Sequence, residues 1–211
     1  MATLTEGAHA GEYIISEGNG RISREAGFLA SGNNLSACAV LGQVTSASAA
    51  TAGSNTGDGT ASAPTVGTEV INGIYTLTCT DATTGDSEIF SVVTPLGTAL
   101  ADLTVGVAYA SSHVNLTLTA GSTAFVVGDT WTIDVIFSEY GEFNAGASDG
   151  TEVAKAILYA AVDATSAEQK CVVTARSTEV RASDLIWKTG TTEAQKVVAI
   201  ASLRSIDIIS R

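Results

Sequence analysis

From residue 25 to residue 154 the chain carries no lysine and no arginine, yet it holds 13 acids. All 10 bases lie outside that run beside the other 9 acids, so the two ends together are close to neutral. A chain whose charge chemistry changes this sharply twice reads as two bodies: a nearly neutral domain built from both ends, and an acidic module inserted between them. At 211 residues there is room for both. The seams are stretches of small and turn-forming residues, SASAATAGSNTGDG over 46–59 and SEYGEFNAGASDG over 138–150. The expected division is 1–46 with 139–211 for the outer domain and 47–138 for the insert.

Within the insert, apolar residues alternate with threonine, asparagine or aspartate, the pattern of strands with one buried face. Tyr75, Leu77 and Cys79 point one way and Thr76, Thr78 and Thr80 the other. Val114, Leu116 and Leu118 form a second such run; Trp131, Ile133, Val135 and Phe137 form a third. Residues 88–93 and 100–109 add two more. The turn cluster at 81–85 and the Val127-Gly-Asp129 turn separate them, and no segment has a helical period. Five or more short strands at this spacing predict a small, Ig-like β-sandwich. In the outer domain, 12–16, 37–44 and 170–175 are strand candidates, and 153–162 fits strand or helix. Thr192 and Gln195 have capping-box spacing ahead of an apolar helical face at Val197, Val198, Ile200, Ala201 and Leu203. A short isoleucine-rich strand closes the chain. The expected fold class is mainly β (α+β), with a C-terminal helix.

Composition excludes more functions than it suggests. A sequence pI near 4.4 opposes a broad nucleic-acid surface, since phosphate contacts need clustered cations. No apolar run approaches the ~18 residues of a membrane span. The leading residues lack the basic and apolar parts of a secretion signal. Cys38, Cys79 and Cys171 are isolated, which predicts buried thiols and neither a disulfide framework nor a zinc site. No cofactor motif occurs. The two histidines, His9 and His113, have no ligand-type cluster around them; Ser112 and His113, adjacent on a strand, point to opposite faces and cannot share a proton. Asp58, Asp81, Asp86, Asp102 and Asp129 are expected to satisfy backbone amides in turns, not to meet around calcium. No catalytic, cofactor or metal site is expected.

Two blocks carry a family resemblance. LTEGAHAGEYIISEGNGRISREAGFLASGNNLSACAVL, over 4–41, is similar to the N-terminal part of bacteriophage head decoration proteins of the lambda D type. The segment DGTEVAKAILYAAVDATSAEQKCVVTARSTEVRASDLIW, over 149–187, resembles the same family: an Asp-Gly turn, an Ile-Leu strand, an Ala-Val-Asp turn, a Val-Val strand, then Leu-x-Trp. Residues 191–209 look like its terminal helix and isoleucine-rich end. Ala156 replaces a glycine common among relatives, and Lys188 replaces a proline.

The resemblance implies a non-enzymatic homotrimer on the outer surface of the virion, made in the host bacterial cytoplasm. It would sit at three-fold positions of the expanded head and cement neighbouring subunits of the major capsid protein, binding neither nucleic acid nor membrane. It implies a flexible N-terminal arm over 1–13 that adds a strand to the capsid protein, with Thr3, Leu4, Thr5, Glu6, Ala8, His9, Glu12 and Tyr13 as its contact residues. A different reading places function in the insert, as an adhesin-like or carbohydrate-binding surface, and requires Tyr109, Phe125 and Trp131 to form an exposed aromatic patch.

Overall fold

The computed structural model describes residues 6–82 and 87–211, apart from the side chain of Arg21. In chain order the principal elements are β1 (Ile14–Glu17), α1 (Gly20–Ser23), β2 (Arg24–Leu29) and β3 (Val40–Ala47), then β4 (Gly73–Asp81) and β5 (Ile89–Val93). They continue with β6 (Thr130–Glu142), β7 (Ala154–Leu158), β8 (Gln169–Thr174), β9 (Thr178–Val180), α2 (Glu193–Ser205) and β10 (Ile208–Ser210). The fold is mainly β with one C-terminal helix, as its composition demands: 49 serines and threonines and 21 glycines favour strands and turns over helix. The chain forms two compact units, Met1–Val44 with Ser138–Arg211, and Thr45–Phe137.

The first unit is built on a sheet in which the end of β6 pairs in parallel with β2, at Tyr140 and Leu29. β2 then pairs antiparallel with β8, β8 with β7, and β7 with β3. Both faces of this sheet are packed. Leu29, Leu158, Cys171 and Val173 fill one side together with Leu41 and Tyr140. Ile157, on the other side, packs with Tyr13, Phe143, Val180, Leu185, Ala199 and Leu203. Trp187 joins that second core edge-to-face on Phe143, ring centroids 5.9 Å apart. α2 begins where the sequence places it: the Thr192 hydroxyl accepts from the Gln195 amide and the Gln195 side chain accepts from the Thr192 amide. A separate three-stranded sheet runs β1-β9-β10, which leaves β1 on an edge.

The second unit contains no helix among its described residues. β6 pairs with β4 through six consecutive positions, β4 with β5, and β5 with a two-residue strand at Leu103–Thr104. The alternation in β4 is real: Tyr75, Leu77 and Cys79 are buried against Phe90, Val92, Ile133 and Val135. The 100–109 run makes only that two-residue strand because the chain turns at Thr104 and Val107. Turn residues 83–86 lie outside the described residues.

Both expected seams differ from simple linkers. The 46–59 stretch is stitched down the edge of β6: Ser48 donates its amide to Asp134, Gly53 donates to Thr130, and Asn55 exchanges two hydrogen bonds with the Thr130 backbone. At the other seam, β6 runs on to Glu142, and Tyr140 and Phe143 are buried. In each case small or polar residues conceal ordered backbone, because hydrogen bonding to a strand edge needs no apolar side chain.

Candidate functional site

The expected contact residues occupy two physical settings. Thr3, Leu4 and Thr5 lie outside the described residues. Among the described residues, the backbone amides of Glu6 to Ala10 find no backbone acceptor. Glu6, His9 and Glu12 are exposed, with the His9 imidazole nitrogens 3.3 Å from Glu6 and 3.5 Å from Glu12. Such contacts at a wet surface contribute little to stability.

Among the described residues, backbone bonding to the folded unit begins at Gly11. Its amide donates to the Tyr159 carbonyl at 2.9 Å. It adopts a left-handed φ of 72°, and a Cβ there would lie 2.6 Å from the Tyr159 ring, so glycine is required on both counts. Residues 10–13 turn, and the Ile14 amide closes the turn on the Gly11 carbonyl. Tyr13 is not a surface contact residue: it is 0% exposed. Its hydroxyl lies 2.6 Å from the Thr174 hydroxyl, and its carbonyl accepts from the Arg181 amide. Burial pushes the Tyr13 phenol well above its ordinary range. Ala8 is half-buried against the same core. Among the described residues, burial against this core therefore begins near Ala8, five residues ahead of the limit expected for the arm. A lone tyrosine in a glycine- and alanine-rich stretch was the available signal, since a large side chain with a polar tip is worth burying where a partner exists.

Just past this plug, paired charges bind the chain ends together. Arg24 makes a two-point ion pair with Glu17 and lies 4.1 Å above the Tyr159 ring. Glu179 receives Ser16 from β1 and Arg211 from the C-terminus. Cys38 sits nearby, its thiol pushed up to about 11 by burial and by the Glu12 carboxylate.

The candidates in the second unit have structural partners. His113 Nδ1 is 2.9 Å from the Tyr75 hydroxyl, whereas the Ser112 hydroxyl donates to Glu69, so the two neighbours serve different contacts. Asp58 accepts from Ser122 and Thr123; Asp129 accepts from the amides of Thr56, Gly57 and Val126. Among the described residues no three metal-ligating side chains meet. All three cysteines are buried and free. Tyr109, Phe125 and Trp131 are at most 7% exposed and belong to the core, so they form no aromatic patch for an adhesin.

Two crystal structures of FlgL from Xanthomonas campestris are similar in part, each 18% identical, with TM-scores of 0.34 and 0.33 over 47% and 50% of this chain. The flagellar junction protein FlgL from Legionella pneumophila is 16% identical, with a TM-score of 0.34 over 51%. The chain spans only 33%, 34% and 38% of those proteins, and likeness at this level carries no argument. No curated protein matches the chain. A family model for the bacteriophage lambda head decoration protein D, by contrast, matches residues 3–208. The chain belongs to that family, and its role is that of a structural protein decorating a phage capsid.

Proposed function

We propose that the protein binds as a homotrimer at three-fold positions of the expanded head, and that residues ahead of Ala8 add a strand to the major capsid protein. The observation that supports this reading is the contrast at the N-terminus: among the described residues the amides of Glu6 to Ala10 find no backbone acceptor, while Gly11 and Tyr13 fix the base of the segment on a folded surface. Ordering such a peptide costs about 1–2 kcal/mol per residue, more than its own small side chains return. A capsid sheet edge supplies the missing backbone partners. One arm binds weakly; three on one rigid body engage a repeated lattice with an avidity of roughly 10²–10⁴ over a single arm. Because the trimer binds the assembled lattice and not separated subunits, binding stabilises the shell.

Co-sedimentation with expanded heads tests the arm. A chain lacking residues 2–7 keeps Ala8, Gly11 and Tyr13, so it is expected to fold normally and yet lose most capsid binding. Binding undiminished by that truncation would remove the arm from the mechanism.

A further inference from the structure

Tyr159, immediately after β7, is half-buried and belongs to neither packed cluster of the first unit. Its amide donates to the Val172 carbonyl on β8 at 2.9 Å, which fixes its backbone on the sheet. Everything else it contributes goes to the N-terminal segment. Its carbonyl accepts from the Gly11 amide, and its Cε2 atom lies 2.6 Å from where a Gly11 Cβ would stand. The same ring carries the Arg24 guanidinium, 4.1 Å from its centroid. Glu17, at the end of β1, holds Arg24 there through two contacts. The side chains of that pair are 29% and 22% exposed, so water screens it only in part. A planar guanidinium can stack on a ring and grip a carboxylate at the same time, which an ammonium cannot.

Strand register sets Arg24 opposite Thr174. The Thr174 hydroxyl lies 2.6 Å from that of Tyr13. One cross-strand pair therefore serves both fixed points of the segment: Thr174 takes Tyr13, and Arg24 takes the ring against Gly11. A chain anchored at Tyr13 alone can leave the surface in many directions. Anchored at Gly11 as well, it leaves in one.

We propose that Arg24 and Tyr159 are positioning residues for capsid binding, which act through Gly11 by fixing the direction in which the residues ahead of Ala8 leave the first unit. The inference rests on the arm reading above and adds to it residues that do not themselves touch the capsid protein. The gain is preorganisation: with Gly11 and Glu12 already placed, their backbone need not be ordered when the arm meets a sheet edge. Releasing those two residues is expected to weaken capsid binding at least roughly tenfold.

Co-sedimentation with expanded heads tests this in the full chain and in the chain lacking residues 2–7. Arg24→Gln and Tyr159→Leu are expected to keep the parent's circular dichroism while binding by the full chain falls at least roughly tenfold. Tyr159→Phe retains the ring and is expected to recover what Tyr159→Leu loses. In the truncated chain Arg24→Gln is expected to change the residual binding by less than about twofold, since no arm is left to aim. A glutamate-specific protease reads the same device without the capsid: the parent is expected to be cut after Glu6 and spared after Glu12, and the Arg24→Gln chain to be cut at both. Full-chain binding unchanged by Arg24→Gln overturns the proposal. So does an equal loss in the full and truncated chains, which would mean that Arg24 touches the capsid or serves the fold. Variants that lose the parent's circular dichroism assign both residues to stability and overturn the positioning role. Equal binding by the parent and the truncated chain removes the arm reading itself.

Discussion

At the scale of single residues, the N-terminal seat depends on Gly11. An alanine there would have to hold a left-handed φ and displace the Tyr159 ring. Gly11→Ala is expected to cost at least about 1–2 kcal/mol, read as a lower denaturation midpoint together with faster proteolysis near residue 10. An unchanged midpoint would mean that the ring yields freely. Glu88 presents the opposite case. It is 1% exposed, on the same side of β5 as Phe90, and neither carboxyl oxygen has a hydrogen-bond partner among the described residues. Burying a polar group without hydrogen bonds is unfavourable, so Glu88→Met is expected to stabilise the chain by about 1–3 kcal/mol. Destabilisation in urea titrations would show that the carboxyl is serving an interaction after all.

At the scale of elements, Asp129 ties the start of β6 to Thr56 and Gly57, 73 and 72 positions away, and closes its own turn on the Val126 amide. Burial alone pushes its carboxyl up, but the amides of Thr56, Gly57 and Val126 outweigh burial and hold it below the ordinary carboxylate range. A depressed folded value means that the stabilisation is fully present above the unfolded value of about 4 and is lost as pH falls below it. Asp129→Asn puts an NH2 against backbone donors and is expected to cost about 2–3 kcal/mol at pH 7. The gap between parent and variant should narrow below about pH 4 in thermal unfolding; a gap independent of pH would deny the charge any part in it. Elements differ in how plainly the sequence announces them. The capping box of α2 and the alternation of β4 are local signals, satisfied by residues three or two apart. β2, reading REAGFL, has no such signal, since Ala26 and Phe28 are exposed and its strand identity comes from register with β8.

At the scale of the whole molecule, the acidic unit enters and leaves the first unit at neighbouring points. Gln43 Nε2 donates to the Ser138 carbonyl at 3.1 Å, and the Ser138 hydroxyl donates to the Val44 carbonyl at 3.3 Å. A bridge of about 2–5 residues, the length of an ordinary hairpin loop, can therefore join Val44 to Ser138. A chain with 45–137 replaced in this way is expected to stay folded by circular dichroism and to sediment with expanded heads. If it unfolds, the first unit depends on the second for more than connection. The 45–137 unit carries eight of the chain's 22 acids and no base, so its removal also brings the net charge from -12 to -4.

The chain's order by itself determined what rests on near neighbours: strands from alternation, the helix start from Thr192 and Gln195, buried thiols from isolated cysteines, and the family from the spacing of motifs at both ends. It could not determine where the N-terminal segment becomes buried, because that depends on whether Tyr13 finds Thr174, 161 positions away. Nor could it separate buried from displayed aromatics in the acidic unit, since Tyr109, Phe125 and Trp131 read alike in sequence and only packing assigns them to the core. The same holds for Phe28 and Val197, whose exposure follows from what the fold leaves uncovered. Local bonding is written in adjacent residues, whereas burial is a property of the whole assembled surface.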